Sequence, residues 1–406
     1  MGDGRESRVR HRMGQPCRLA LALSGGGVTG YLFEIGALTA LDDLFDDGFT
    51  INDFDLFLGV SAGAAGAALM ANGVKPEEIL QANLSSKRPY YFERRDIFAP
   101  AMGEGLKTFL RAIQQLIPLF KLYVRNRREM SFIDLLDKAQ EALPSGVYKL
   151  EPFARYLEMT FKTKGLSNDF EKLHKELYIP AIDLETGRNV IFGDDGWRQT
   201  PISRAITASS AAPIYFCPVR IDGRDYIDAG IGRIAFFELA LQKKADFMLI
   251  IHPHLFAGTG AAWDQPPSGV CSRVGEKGFL SIGDQASRIN LEARFSLAAE
   301  LYQRDHPDKF LVISPNPSEC LLLQRSFLSF RDRVHLLRCG YLSVAEAIID
   351  QFVRVQGQFA AHGISISLSR IQERVRARMA QFAGASETPF PALATAHRRT
   401  GWSSAL

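Results

Sequence analysis

The chain has 406 residues, of which 46% are hydrophobic and 23% are charged. This composition is typical of folded globular proteins and excludes disordered, collagenous and coiled-coil classes. The formal net charge is only +3, which gives no support for a nucleic-acid partner. The 5 cysteines show no CxxC spacing, so the sequence indicates neither a disulfide framework nor a metal site, and we expect a reducing, cytoplasmic compartment.

The first segment, residues 1–16, is a basic tail rich in glycine and arginine that we expect to be disordered. It lacks the apolar stretch of a signal peptide and departs from the N-myristoylation pattern. The most apolar segment of the chain, 56–71, consists largely of glycine and alanine and contains Ser61. We therefore predict no transmembrane span.

Two strand-turn-helix units follow the tail. Residues 18–23 form a short apolar run that leads into the glycines of 24–30, and apolar residues then recur at helical spacing up to Phe45. Residues 55–60 give a second buried strand, followed directly by an alanine-rich helix up to about Asn72. This alternation predicts an α/β fold with a central, mainly parallel sheet.

The remaining chain divides into a cap, the rest of the sheet and a helical end. Residues 76–165 carry helical patterns alone, which we interpret as a cap inserted over the sheet. The main domain therefore spans 17–315, followed by a C-terminal helical extension over 316–385 and a loose tail over 386–406. The elements after the cap are strands at 176–183 and 189–193, a helix over 201–211, strands at 215–221, 226–228 and 246–251, a long helix ending near 306, and a strand at 310–313.

The pentapeptide 59–63, Gly-Val-Ser-Ala-Gly, fits the G-x-S-x-G pattern of a nucleophilic serine. The small residues Gly59 and Gly63 let a strand and a helix approach closely, which exposes Ser61 on a sharp turn. The start of the following helix favours the negative charge that develops during acyl transfer. A packing helix can also be rich in glycine and alanine, but the position between a strand and a helix favours a catalytic serine.

A glycine turn also ends the first strand, at residues 24–30. A nucleotide-binding loop would need an acidic ribose ligand at the end of the second strand, where Ser61 stands instead. Glycine amides can otherwise hold the oxyanion of an acyl-transfer intermediate, which needs donors about 3 Å from the oxygen. A turn used for packing alone is the third alternative. Two neighbouring glycine turns, one of them with a serine, favour acyl transfer.

The residues alone leave two candidates for the general base. His252 and His254 follow a predicted strand and would complete the Ser, Asp, His order of an α/β-hydrolase triad. Asp228 ends another predicted strand, before a turn of small residues. A carboxylate has an ordinary pKa near ~4, so it would need burial or coupling to the serine hydroxyl to act as the base.

These segments together resemble the patatin-like phospholipase family. Residues 25–30 are similar to the family's G-G-G-x-[RK]-G oxyanion loop, and 59–63 to its nucleophile elbow. Residues 205–216 resemble the A-S-x-A-x-P-x-F block, and 228–230 stand where the family has D-G-[GA]. The similarity covers about residues 17–255.

The resemblance implies a three-layer α/β/α patatin-like fold and a Ser61–Asp228 dyad without histidine. His252 and His254 then become ordinary residues at a strand end. The resemblance further implies a serine acyl-ester hydrolase, without metal or cofactor, that releases fatty acid from phospholipids or related lipids as a phospholipase A or lysophospholipase. The oxyanion donors that it implies are the backbone amides of Gly25, Gly26 and Gly27.

Two residues depart from the family pattern. Thr29, next to Gly30 of the loop, stands where the family pattern has an arginine or lysine. Ala229, before Gly230, replaces a glycine, which costs about 1 kcal/mol if that position needs a positive φ. The Asn-Pro usually found a few residues further on is absent. These departures keep open an esterase or depolymerase acting on other esters, and a degenerate lipid-binding or regulatory protein.

Residues 107–128 combine apolar and aromatic side chains with basic residues and contain no acidic residue. Such a basic amphipathic segment suits anionic lipid headgroups on one face and acyl chains on the other. A cap helix that covers the core would have the same pattern. We predict a lipid or acyl-ester substrate and peripheral membrane contact through this segment, and assign no oligomeric state.

Overall fold

The computed structural model describes residues 11–12, 15–46, 48–100, 125, 145–232, 236–254, 278–315, 328, 330 and 332–385. Apart from Arg125, the predicted basic segment 107–128 lies outside the described residues, and so does the predicted tail 386–406.

The secondary structure of the described residues is as follows. The strands are β1 (His11–Arg12), β2 (Gln15–Pro16), β3 (Leu19–Leu23), β4 (Leu56–Gly59), β5 (Ala99–Pro100), β6 (Gly146–Lys149), β7 (Glu176–Asp183), β8 (Asn189–Phe192), β9 (Ile214–Phe216), β10 (Val219–Ile221), β11 (Arg224–Asp228), β12 (Phe247–Ile251) and β13 (Phe310–Ile313). The helices are α1 (Gly27–Leu44), α2 (Ala62–Ala71), α3 (Pro76–Leu84), α4 (Arg94–Ile97), α5 (Glu151–Lys164), α6 (Ile202–Ser209), α7 (Phe236–Gln242), α8 (Phe279–Asp305), α9 (Arg333–Asp350), α10 (Phe352–Ala361) and α11 (Leu368–Ala385).

A central sheet with the order β10-β11-β7-β4-β3-β12-β13, with β8 also paired to β7, organises the fold. Strands β13, β12, β3, β4 and β7 run parallel, whereas β8, β10 and β11 pair antiparallel at one end. The register sets Leu23 opposite both Gly59 and Ile251. The carboxyl ends of β3, β4 and β12 therefore meet at one edge of the sheet, where ligands of open α/β sheets bind.

Strand β3 illustrates how the sequence builds three layers. Successive side chains of a strand point to opposite faces of the sheet. The leucines of β3 belong to the core that α1 and α2 cover, whereas Ala20 and Ala22 belong to the core on the other face, with Phe237 of α7 and Phe295 of α8. The predicted α/β/α architecture with a mainly parallel sheet is confirmed.

The C-terminal helices pack into the core on the α1 face. Helices α1 and α9 meet at two glycines: a β-carbon on Gly36 would lie 1.9 Å from the carbonyl oxygen of Leu337, and one on Gly340 would lie 1.9 Å from that of Phe33. Only residues without a β-carbon allow this approach. The predicted C-terminal extension is helical over 333–385, and it shares the hydrophobic core of the domain.

Partly buried polar contacts join the same helices. The Tyr341 hydroxyl donates to the Asp43 carboxylate at 2.9 Å. Arg378 of α11 forms ion pairs with Asp43 at 3.0 Å and with Glu77 of α3 at 2.8 Å. These bonds connect residues about 300 positions apart in the chain, which fixes α9 and α11 against the first helices.

Three predictions about local structure are wrong in part. The cap 76–165 contains strands as well as helices, because β5 and β6 form a small sheet with β9. The predicted strand 215–221 is two strands, β9 and β10, in different sheets, since Pro218 between them lacks a backbone donor. In the predicted tail, β1 and β2 pair as an antiparallel hairpin. Strands of two to four residues are too short to produce a readable alternation.

Among the helices within the described ranges, none is both long enough and apolar enough to cross a membrane.

Candidate active site

Ser61 occupies the turn between β4 and α2. Its backbone has φ 56 and ψ −130, a conformation that costs about 1–3 kcal/mol for a residue other than glycine. The Ser61 amide donates to the Ser209 hydroxyl at 2.9 Å. A β-carbon on Gly63 would lie 2.5 Å from the Leu23 carbonyl oxygen, so this glycine lets α2 begin directly against β3. The serine thereby sits at the positive end of α2.

Asp228 ends β11 beside Ser61 and is 7% exposed. Its carboxylate accepts a hydrogen bond from the Gly230 amide at 2.7 Å, and the Ser61 side chain is near enough to lower the pKa of this carboxyl group. Ala229 begins a single 3₁₀ turn, a conformation with negative φ that alanine adopts without strain. The strain considered for this alanine therefore does not arise.

Burial dominates the pKa of Asp228. It raises this pKa from 3.8 to about 6, whereas the Ser61 side chain and the hydrogen bond from the Gly230 amide lower it. A carboxylate with a pKa near 6 is a stronger base than an exposed one and is still mostly ionised at neutral pH. The environment of Asp228 is thus suited to accepting a proton from Ser61.

His252, one of the two alternative bases, forms hydrogen bonds with residues other than Ser61. Its Nδ1 is 3.0 Å from the Ser24 hydroxyl and its Nε2 is 3.0 Å from the Glu292 carboxylate. The ring stacks on Phe295 with a centroid distance of 3.6 Å. Because both ring nitrogens have partners other than Ser61, His252 cannot also serve as the base of that serine without losing one of them.

The glycine loop is only partly arranged as predicted. The Gly25 amide donates to the Glu34 carboxylate at 2.7 Å, so it does not point into the site, and the prediction of Gly25 as an oxyanion donor is wrong. Gly26 and Gly27 line the cavity beside Ser61. Helix α1 begins at Gly27, and the amides at a helix start have no intrahelical acceptor. Two of the three predicted donors therefore remain.

Glu34 is a site residue that sequence reasoning missed. It is fully buried, and burial raises its pKa well above the ordinary value, although the bond from Gly25 lowers it. Within the described part of the chain, its Oε2 atom has no hydrogen-bond partner. The available signal was an acidic residue in the apolar first part of α1, well before the two aspartates near the end of that helix. The neighbouring Thr29 hydroxyl donates to the Gly26 carbonyl at 3.3 Å, which ties the loop to the first turn of α1.

An apolar pocket opens on one side of Ser61. Its walls come from α1, α2, the α4 region, α5 and β9, and they are almost entirely hydrocarbon. Main lining side chains are Tyr31, Leu69, Ile97, Phe153, Leu157 and Phe216.

A second pocket also borders Ser61, beneath α8, and is called the polar pocket here because charged side chains contribute to its lining. Its lining includes Asp284, Arg288 and Arg294 of α8, of which Asp284 and Arg288 lie one helical turn apart. Asp284 and Arg288 form an ion pair at 3.2 Å. This part of α8 was predicted only as part of an amphipathic helix, because nothing in the sequence indicates which part of the sheet it covers.

Arg294 holds the turn that follows Asp228. It donates to the Gly230 carbonyl at 2.9 Å and also to the carbonyls of Ile231 and Gly232. The family pattern has an Asn-Pro shortly after this point, which the chain lacks, and Arg294 stabilises the turn from another helix. Across the residues that the structure describes, no group of three or more histidine, cysteine or acidic side chains is arranged to hold a metal ion.

Comparison with known proteins relates the chain to lipid hydrolases. The sequence pattern of the family described as Patatin-like phospholipase matches residues 21–241, more than half of the chain. The Probable lipid hydrolase 463L of Invertebrate iridescent virus 6 is 24% identical over 244 residues, which cover 57% of this chain and 68% of that protein. A cGAMP-activated phospholipase of Escherichia coli (strain TW11681) is 26% identical over 246 residues, which cover 56% of this chain and 57% of that protein.

Solved structures show weaker likeness. VipD from Legionella pneumophila aligns with a TM-score of 0.36 and 15% identity, over 83% of this chain and 67% of that chain. The type III effector protein ExoU of Pseudomonas aeruginosa aligns with a TM-score of 0.34 and 15% identity, over 90% and 63%. The range matched by the family, 21–241, contains the glycine loop, Ser61 and Asp228. The chain belongs to the patatin-like phospholipase family.

Proposed function

We propose that this chain is a serine acyl-ester hydrolase that releases fatty acid from phospholipids or related lipids, as a phospholipase A or a lysophospholipase. The observation that carries the proposal is that Ser61 borders both an apolar and a polar pocket. A lipid ester has the same division, with an acyl chain on one side of its carbonyl carbon and a polar alcohol on the other. Family membership and the names of the two relatives support the same class of substrate.

In the proposed reaction, the Ser61 oxygen attacks the carbonyl carbon while Asp228 takes the hydroxyl proton. The amides of Gly26 and Gly27 hold the negative oxygen of the intermediate. The bond to the leaving oxygen then breaks, and the lysolipid or alcohol departs with the proton from Asp228, which leaves an acyl group on Ser61. Water attacks this acyl group while Asp228 again takes a proton. The bond between the acyl carbon and the Ser61 oxygen then breaks, Asp228 returns the proton to that oxygen, and the fatty acid leaves. No cofactor takes part in these steps.

The two departures from the family pattern give no reason to expect an inactive protein. Thr29 replaces a cation, yet its hydroxyl binds the Gly26 carbonyl and so supports the loop. Ala229 begins a 3₁₀ turn and packs in the core beneath α7. Both residues are compatible with an active site, which favours the enzyme over the degenerate lipid-binding protein.

Fatty-acid release from phosphatidylcholine vesicles and from lysophosphatidylcholine micelles tests the proposal. We expect the wild type to release fatty acid, and Ser61→Ala and Asp228→Asn to reduce release to background. Ser85→Ala, which changes an exposed serine at the end of α3, is the matched control and should retain activity. Hydrolysis of soluble short-chain esters with none of either lipid would instead favour an esterase or depolymerase.

We also propose peripheral membrane contact through the basic segment 107–128, on its sequence pattern alone. Co-sedimentation with vesicles that contain phosphatidylserine should exceed that with neutral vesicles. Charge reversal at Lys107, Arg111 and Lys121 should remove the difference. Equal binding to both vesicle types, or no effect of the substitutions, would contradict this contact.

A further inference from the structure

We propose that His254 is a third oxyanion donor, a catalytic residue whose Nε2–H bonds to the substrate carbonyl oxygen together with the amides of Gly26 and Gly27. The inference rests on the acyl-transfer function proposed above and assigns to it a histidine that the family resemblance leaves without a role.

The position of the imidazole supports this role. His254 lies just past the carboxyl end of β12 and lines the polar pocket together with Gly26, Gly27, Ser61 and Asp228. A β-carbon on Gly26 would lie 3.3 Å from Cε1 and 3.4 Å from Nε2 of the ring. The nitrogen-bearing edge of the ring therefore lies against the same glycine whose amide is a proposed oxyanion donor.

The Nε2 atom of His254 is a buried polar atom that lacks a hydrogen bond to the described residues. A buried polar atom without a partner costs about 1–3 kcal/mol and is rare in folded proteins. Because Nε2 lies at the wall of a pocket beside a nucleophile, a substrate oxygen would supply the missing hydrogen-bond partner.

The protonation state also fits a donor that stays neutral. Burial lowers the pKa of His254 well below its ordinary value of 6.5, and electrostatic repulsion from His252 and Arg288 lowers it further. The His252 ring lies 4.9 Å away between centroids. A neutral imidazole with its proton on Nε2 donates one hydrogen bond to a developing oxyanion and keeps that proton throughout the reaction.

The rest of the loop explains why a third donor would matter here. The Gly25 amide is bonded to Glu34 rather than directed at the substrate. The family's cation is replaced by Thr29, whose hydroxyl donates to the Gly26 carbonyl and brings no charge to the pocket. Two groups that could stabilise negative charge are therefore missing from the loop, and His254 approaches the same position from β12.

The test compares His254→Leu, which has no donor, with His254→Gln, whose side-chain amide can still donate. For a soluble p-nitrophenyl ester we expect the leucine variant to lower kcat by about 10²–10³-fold, the size measured for loss of one oxyanion donor, with KM nearly unchanged. The glutamine variant should fall between this variant and the wild type. The rate of fluorophosphonate reaction with Ser61 should decrease in the same order, because that reaction also develops a negative oxygen.

Matched controls separate this role from a structural one. His174→Leu changes an exposed histidine and should leave kcat at the wild-type value. Wild-type kcat in His254→Leu would overturn the proposal. Complete loss of turnover in both His254 variants, with an undiminished acylation burst, would also overturn it, because Nε2 would then act on the water that releases the acyl group. If the leucine variant does not fold, the glutamine variant decides: partial kcat supports a donor and complete loss refutes it. Activity in Ser61→Ala would instead refute the proposed function itself.

Discussion

The side chain of Ser61 interacts with the carboxyl group of Asp228 and lowers its pKa, and this acidic residue is only 7% exposed. Ser61 follows β4 and Asp228 ends β11, and these two strands pair with opposite edges of β7. One long strand thus sets the spacing between a serine and a carboxylate that lie far apart in sequence. Burial raises the pKa of Asp228 and the Ser61 side chain lowers it, with burial the larger effect.

The activity should depend on pH through Asp228. A base must be ionised, and the pKa of Asp228 is raised to about 6 by burial. On an uncharged soluble ester, kcat/KM should therefore increase about tenfold per pH unit below about pH 6 and level off above about pH 7. A pH–rate profile measures this midpoint, and a plateau that extends unchanged down to about pH 4 would contradict it.

Removing the charge of Asp228 should stabilise the fold while abolishing activity. The folded pKa, about 6, exceeds 3.8, so folding favours the protonated form. The resulting stability is fully present below about pH 3.8 and is lost as pH rises through about 6. Asp228→Asn should thus increase the free energy of unfolding by up to about 3 kcal/mol at neutral pH.

Denaturant unfolding at about pH 7.5 and about pH 4 checks this stability difference. The gain of Asp228→Asn should be large at the higher pH and nearly vanish at the lower one. The control Asp195→Asn replaces a side chain that is 96% exposed and should change stability little at either pH. A loss of stability in Asp228→Asn at neutral pH would show that its hydrogen bonds outweigh its burial.

Glu34 should matter as an acceptor rather than as a charge. Glu34→Gln keeps an oxygen for the Gly25 amide and removes the cost of a buried carboxyl whose pKa is raised, so stability at neutral pH should not fall and activity should persist. Glu34→Leu leaves the Gly25 amide without its acceptor, which costs about 1–3 kcal/mol, and should lower kcat. Wild-type kcat and stability in both variants would refute this role.

The contact between α1 and α9 should not tolerate a β-carbon. Gly340→Ala places a methyl group 1.9 Å from the Phe33 carbonyl oxygen, so the helices must separate, at a cost of about 1–3 kcal/mol or more. The matched control is Gly357→Ala in α10, where a β-carbon meets nothing within 4 Å. This substitution should stabilise the protein by up to about 1 kcal/mol. Thermal unfolding of both variants should therefore shift in opposite directions.

The apolar pocket should determine acyl-chain length. Ala65 lines this pocket in α2 and is almost fully buried, so Ala65→Phe should lower kcat/KM for a palmitoyl ester much more than for a butyryl ester. Val353→Phe, at a position that is 84% exposed, is the control and should change neither value. Equal losses on both esters in Ala65→Phe would show that this pocket does not hold the acyl chain.

Local patterns predicted the elements around the site well. The glycine turns at 24–30 and 59–63 were identifiable because each follows a short apolar strand and precedes a helix, and both features lie within about twenty residues. Asp228 could be placed at a strand end in the same way. Its choice as base over His252 and His254 came from the family resemblance and not from the residues.

The roles of the two histidines were not predictable from the sequence. His252 and His254 are separated only by Pro253, yet the first bonds to Glu292 of α8 and the second faces Gly26. Which of them enters the pocket depends on how α8 packs on the sheet, and no local pattern reports that. The same holds for Arg294, which stabilises a turn some sixty residues earlier in the chain.

The reaction of a fluorophosphonate probe with the protein, followed by intact mass and peptide mapping, tests the central claim most directly. We expect one adduct, located on Ser61, that forms about 10²–10⁴-fold more slowly in Asp228→Asn because the general base is lost. An adduct on another residue, or an undiminished rate in Asp228→Asn, would contradict the Ser61–Asp228 dyad.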